Sequence, residues 1–252
     1  MYDCHTHPLG HEGGDYTIER LRPFVERGMA AGLKGLAFTD HEWYHRQIDA
    51  EVVERLREEY PSFKVLLGLE VDYKPGREEE LREIIAEKPY DFVIGSVHHL
   101  GSWEFDHPDY RDKYNRWDIN ALFEEYFTVV AQAVETGLFQ QVGHFDLIKV
   151  FGYRYQGELL EVVEPVLQKI KEQGMVVEVN TNGLNKPVQE AYPTREIIQR
   201  CLALDIPLTL SSDAHEPRQV GQYFNKIRPL LRSMGCRQLV HFEQKKMVIE
   251  DF

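Results

Sequence analysis

Cysteine is scarce in this chain: Cys4, Cys201 and Cys236 are all there is. An odd three cannot pair completely and are too few for a disulfide-held scaffold. Long apolar runs are missing as well, and none approaches the roughly 20 residues of a membrane-spanning helix. The opening Met1-Tyr-Asp-Cys-His5 has neither the basic nor the apolar region of a secretory leader, so a cytoplasmic protein that meets no membrane is expected. Positive charge is in deficit, with 29 Lys and Arg against 42 Asp and Glu, a net −13. Nucleic acid is therefore not an expected partner, because a basic footprint drives that binding. An anionic small molecule would have to be attracted by something other than side-chain charge.

What is present suits a packed α/β protein. The 252 residues are 42% hydrophobic and 28% charged, with no repeat and no low-complexity linker, so one domain over residues 1–252 is expected. Short apolar runs recur at Tyr2–Cys4, Gly35–Phe38, Lys64–Leu69, Asp91–Val97, Gln140–Val142, Met175–Val179 and Pro207–Leu210. Amphipathic stretches separate them, at Thr17–Ala31, Asp49–Glu59, Glu78–Glu87, Ile119–Thr136, Glu158–Gln173, Thr194–Leu204 and Phe224–Ser233. This alternation predicts buried parallel strands joined by helical crossovers. Thr17 and Thr194 are N-cap candidates, and Gly32, Gly137, Gly174 and Gly235 stand where helices should stop. Seven strand–helix units fit, one short of the usual eight-stranded barrel. The alternative is an open doubly wound sheet, which usually places a glycine-rich loop where this chain has His5-Thr6-His7.

The segments that follow the apolar runs carry the chemistry. They read His5-Thr6-His7, Thr39-Asp40-His41, Glu70-Val71-Asp72, His98-His99, Gly143-His144-Phe145-Asp146, Glu178-Val179-Asn180 and Ser212-Asp213-Ala214-His215. In a parallel barrel all these ends share one face, where active sites are built. Imidazoles with a few carboxylates suit Zn, Mn, Fe or Co rather than Mg or Ca. His5 and His7, two apart on a strand, point to the same side and can grip one ion. The donors outnumber what one catalytic metal uses, which implies more than one.

Several of these segments resemble, in order and along nearly the whole chain, the motifs of the polymerase-and-histidinol-phosphatase (PHP) superfamily. They are His5-Thr-His7, Thr39-Asp-His41, Gly68-Leu-Glu70, Gly95-Ser-Val-His98, Gly143-His144 and Ser212-Asp-Ala-His215. Tyr90 to Trp103, Phe105-Asp-His-Pro-Asp109, Val179-Asn-Thr-Asn-Gly183 and Tyr192-Pro193 resemble the histidinol-phosphatase branch of it. The resemblance implies a distorted (βα)7 TIM-like barrel with a centre of two to three divalent transition metals. It assigns His5, His7, Glu70 and Asp213 to one ion. Glu70, His98 and His144 would hold a second, and His41, His215 and His11 a third. The interval from His7 to His11 (Pro8-Leu9-Gly10) is shorter than relatives tend to have.

The implied reaction is hydrolysis of a small phosphomonoester, L-histidinol phosphate, in histidine biosynthesis. A metal-bridging hydroxide would attack phosphorus in line with the leaving oxygen. Asp213 or His215 would supply the proton that the leaving alkoxide needs. Arg154 and Arg195 are candidates for the phosphoryl group, since a guanidinium grips it with two prongs. The Asp106–Asp109 loop, with His107, is a candidate for the imidazole or amino end of the substrate. The rivals are a phosphodiesterase or exonuclease of the same superfamily and a non-catalytic metal-binding module. Asp40, Asp72 and Asp146 are expected either to orient histidines or to cap turns. His99 is expected to pack or support, Cys4 to face away from His5 into the core, and His45 and His241 to lie on the surface.

Overall fold

The computed structural model describes residues 1–252. Seven parallel strands follow one another in the sheet in chain order: β1 (Tyr2–Thr6), β2 (Gly35–Phe38), β3 (Lys64–Asp72), β4 (Phe92–Ser96), β5 (Gln141–Val142), β6 (Val176–Asn180) and β7 (Leu208–Ser211). One helix follows each strand. They are α1 (Ile18–Ala30), α2 (Ala50–Glu59), α3 (Glu78–Ala86), α4 (Ile119–Glu135), α5 (Leu159–Glu172), α6 (Arg195–Ala203) and α7 (Phe224–Ser233). A parallel bridge between Thr6 and Ala214 brings the last strand end to the first, and the His7 N–H donates to the Ala214 carbonyl at 2.7 Å. The result is a nearly closed, distorted seven-stranded barrel. No helix is long and apolar enough to cross a membrane.

Local chemistry explains most element ends. The side chains of Thr17, Asp49 and Asp118 accept backbone N–H groups at the starts of α1, α2 and α4. Gly32, Gly137, Gly174 and Gly235 all take the positive φ that ends a helix. Thr194 departs from expectation. Its hydroxyl makes no cap bond, and its N–H instead donates to Asp146 at 2.9 Å.

Side chains alternate along the strands. Leu67, Leu69, Val71, Val177 and Val179 face the helices in the main core. Cys4, Ala37, Leu66, Phe92, Ile94 and Val176 face the barrel interior. The C-terminal segment, which the sequence pattern did not predict, forms an antiparallel hairpin of β8 (Gln238–Glu243) and β9 (Lys246–Asp251). Val240 and Phe242 enter the inner cluster, with Phe242 stacked on Phe92 at 5.6 Å, so the hairpin plugs the N-terminal end. His241 is consequently buried, stacked on Tyr2 at 3.8 Å, and is not the surface residue its polarity suggested.

The first strand holds a second departure. Its register shifts between Asp3 and Thr6, and a bulge of this kind re-aims side chains. Cys4 is core as expected, yet it and His5 both face inward: Cys4 packs on the plug and His5 reaches Glu70 and Glu178.

Candidate metal centre

Glu70 stands at the middle of the C-terminal end. It occupies the inner position of β3 that follows Leu66 and Gly68, so strand periodicity aims its carboxylate up the barrel axis. Imidazoles from four strand ends converge on it. Glu70 Oε1 lies 3.0 Å from His144 Nε2, 3.5 Å from His5 Nε2 and 3.8 Å from His98 Nε2. Glu70 Oε2 lies 2.8 Å from His41 Nδ1 and 3.5 Å from His7 Nε2. Ser96 Oγ also donates to Oε1, at 2.7 Å. That bond needs Gly143, because a Cβ there would come within 2.2 Å of the serine oxygen.

Asp213 closes the group from β7. Its Oδ1 lies 3.3 Å from His7 Nε2, and the side-chain amides of Asn180 and Asn182 each donate to Oδ2 at 3.3 Å. Asp213 and His144 both carry positive φ, a conformation uncommon outside glycine and found at constrained functional positions.

The donor set fits divalent metals. His5 Nε2, both ring nitrogens of His7 and His41, His144 Nδ1 and His215 Nε2 are buried without a hydrogen-bond partner. Unpaired buried polar atoms are costly and call for a ligand. Several separations, 3.3 to 3.8 Å, are long for hydrogen bonds. They approach the ~3.3 Å between donors that share an ion with bonds of about 2.0–2.1 Å. Three sets of donor atoms lie within 4.8 Å of one another: His5, His7 and Glu70; Glu70, His98 and His144; and His7, His41 and His215.

Electrostatics hold Glu70, Asp213 and His7 in ligating form, whereas His5, which burial would lower, is raised well above the ordinary imidazole value by Glu178 and Glu70 and gives up that proton when it ligates. Burial pushes Glu70 up, but His5, His41 and His144 together hold its carboxyl well below the usual range. Asp213 is likewise held down against burial by His5, His7 and His215. Burial and the neighbouring His41 and His215 drive His7 well below the ordinary imidazole value, leaving it neutral with a free lone pair.

Two further carboxylates aim the rings. Glu178 Oε1 sits 2.7 Å from His5 Nδ1, and its Oε2 accepts the His144 N–H at 2.6 Å. Asp72 lies 3.3 Å from His98 Nδ1, accepts the His98 N–H at 3.1 Å and lies 2.8 Å from His99 Nδ1. Burial opposes the charged form of His98, but Asp72 and its acidic neighbours push the pKa of the ring up to about 10, so metal binding there displaces a proton. Asp72 and His99 thus support ligands. Asp40 caps the Leu9 N–H instead, and Asp146 holds Lys149 and the Thr194 N–H.

Glu178 was read at a chemistry-bearing strand end, but sequence reasoning gave it no role. Its signal was there: a carboxylate at an inner position of an otherwise apolar, buried strand. Asp3 was missed too; it is fully buried and accepts the N–H groups of Ser212 and Gly221, which pins the loop that carries Asp213.

The remaining candidates lie around this core. The exposed His11 ring stacks on His215 at 4.4 Å and on His41 at 5.5 Å, while His7 occupies its place among the tight donor sets. Beside His11 and His215 opens a polar cavity of about 510 Å³, lined also by Asn182 and Lys186. Arg154 and Arg195 line a different cavity, about 450 Å³, with Lys149, Asp146 and Glu190. Arg154 pairs there with Glu190 at 2.9 Å. His107 is exposed and spends its ring on a local turn, accepting the Asp109 N–H at 3.3 Å. His45 is half-buried and paired with Glu87.

Residues 3–182 match the PHP domain family. The chain is 35% identical to a protein of Deinococcus radiodurans named "Probable histidinol-phosphatase", over 98% of each. It is 25% identical to the histidinol-phosphatase of Lactococcus lactis, over 97% of this chain and 95% of that one. The crystal structure of histidinol phosphate phosphatase from Lactococcus lactis, complexed with zinc, L-histidinol and phosphate, shares the fold. Its TM-score is 0.82 at 22% identity, over 98% of both chains.

Proposed function

Because the chain belongs to the PHP domain family, we propose that it is a metal-dependent phosphomonoesterase converting L-histidinol phosphate to L-histidinol and phosphate, a step of histidine biosynthesis. The observation that carries this reading is the convergence of His5, His7, His41, His98 and His144 on one buried carboxylate, Glu70. His5, His7, Glu70 and Asp213 would hold one ion, and Glu70, His98 and His144 a second. His41, His215 and His11 would hold a third, with His7 close enough to join them.

When bound, two to three divalent transition metals (Zn, Mn, Fe or Co) supply the positive charge that draws a phosphate dianion into an acidic chain, and they activate water for attack on phosphorus. The protein's own groups do the rest. Glu178, 2.7 Å from His5 Nδ1, is placed to hold a proton there, and Asp72 stands 3.3 Å from His98 Nδ1, so that each Nε2 is turned toward Glu70 and would ligate once it has released its own proton. Arg154 and Arg195, which share the neighbouring cavity, would bind phosphoryl oxygens, Arg154 once it leaves its pairing with Glu190. Asp213, held ionised, would take the proton that the attacking water gives up and pass it to the leaving alkoxide, with His215 as the other group placed to relay it. These groups are neighbours, with His215 Nδ1 3.6 Å from Asp213 Oδ1.

The test is phosphate release by metal-reconstituted protein from L-histidinol phosphate and from p-nitrophenyl phosphate. A kcat/KM about a hundredfold higher for the first, ~2.7 kcal/mol of transition-state discrimination, is expected. Equal slow rates would discard the substrate, and no turnover of either would discard the reaction.

A further inference from the structure

One carboxylate at the rim is used neither to ligate nor to orient. A short hairpin, His99–Leu100 paired with Trp103–Glu104, turns the chain back after β4, and the Phe105 N–H donates to the His98 carbonyl at 3.1 Å. That bond holds the backbone just before Asp106 against His98, at the edge of the centre. Asp106 Oδ1 is buried and has no hydrogen-bond partner. Nearby, Tyr192 packs edge-on to His144 at 6.3 Å, and its fully buried hydroxyl is unpartnered too. The next residue, His107, points to solvent. The loop therefore offers the centre an unpaired carboxyl group, beside a wall with hydrogen-bonding capacity to spare.

A carboxylate placed beside a phosphate-binding centre works against anions in general, so its use lies with a substrate that also carries a cation. We propose that Asp106 is the specificity-determining residue of this enzyme, binding the ammonium group of the leaving alcohol; this rests on the substrate reading given above. The phosphoryl end goes to the metal-binding groups, and the amino end donates to Asp106 in a charge-assisted hydrogen bond. The same carboxylate repels phosphomonoesters whose leaving group is anionic, which is selection by exclusion.

The experiment compares two esters on the metal-loaded enzyme: L-histidinol phosphate and its des-amino analogue, 3-(imidazol-4-yl)propyl phosphate. The wild type should favour the amine by about thirtyfold in kcat/KM, the yield of one charge-assisted contact. Asp106→Asn should erase most of that preference while metal content stays at the wild-type level, and Asp106→Glu should recover part of it. A preference that survives Asp106→Asn overturns the role of Asp106. Should Asp106→Asn fold or load poorly, Asp106→Ser is read by the same ratio. Product inhibition of the wild type by L-histidinol against 3-(imidazol-4-yl)propan-1-ol checks amine recognition without any variant, and equal inhibition overturns the proposal. A wild type that hydrolyses p-nitrophenyl phosphate but neither ester overturns the substrate reading itself, an outcome separate from the others.

Discussion

The two ends of the barrel are made by the same strands and do opposite things. Along β3 the inner positions read Leu66, Gly68, Glu70, and along β6 they read Val176, Glu178, Asn180. At the lower end these positions join Cys4, Ala37 and the Val240–Phe242 plug in a dry cluster. At the upper end they become a crowd of imidazoles and carboxylates with unpaired nitrogens. Burial of apolar surface stabilises the lower end. Burial of the same depth costs free energy at the upper end until a ligand meets it. A strand of five to nine residues is thus long enough to separate stability from chemistry, with no extra domain.

Substitutions at the two ends should therefore fail differently. Glu70→Gln removes the carboxylate shared by the imidazoles. It should lower kcat/KM by at least about a thousandfold, and elemental analysis should find less metal bound. Full metal content with full activity would break the contrast. At the opposite end, Phe242→Ala should cost ~3–4 kcal/mol of stability in denaturant unfolding, while folded protein keeps its wild-type kcat/KM. Loss of turnover without loss of stability would show that the plug reaches the chemistry.

Between these extremes, Glu178→Gln keeps the shape but weakens the grip on His5 Nδ1. A loss of about 10–100-fold in metal affinity or activity is expected, measured by metal titration and steady-state kinetics. Arg154→Ala and Arg195→Ala should be mildest, each lowering kcat/KM about tenfold, mainly through KM. If both stay within a few-fold of wild type, the cavity they line is not the phosphoryl site.

Much of this was legible in the sequence, for identifiable reasons. The apolar runs and helical periods marked all seven strand–helix units. The Phe224–Ser233 helix matches its predicted span, and the other helices end within a residue or two. The histidine-bearing strand ends were equally readable, since seven termini of one barrel must share a rim. Legibility failed where partners lie far apart in the chain or where local signals are absent. Glu178 acquires meaning only from His5, 173 residues away. The C-terminal hairpin turns at Gln244-Lys245, both at positive φ, without the Asn-Gly pair that usually announces such a turn. The loss of the hairpin then misplaced His241. The bulge in β1, which brings Cys4 and His5 inward together, leaves no mark on period-two alternation.

The closure of the barrel also sets a timetable. Asp3 waits for Ser212, 209 residues downstream, before the rim can close over His5 and His7. On a ribosome adding ~5–20 residues per second, that interval lasts on the order of 10–40 s. Throughout it the N-terminal imidazoles lack Asp213 and His215. Assembly of the complete ion cage is thus an event of the finished polypeptide, and every prematurely terminated chain short of β7 is barred from it.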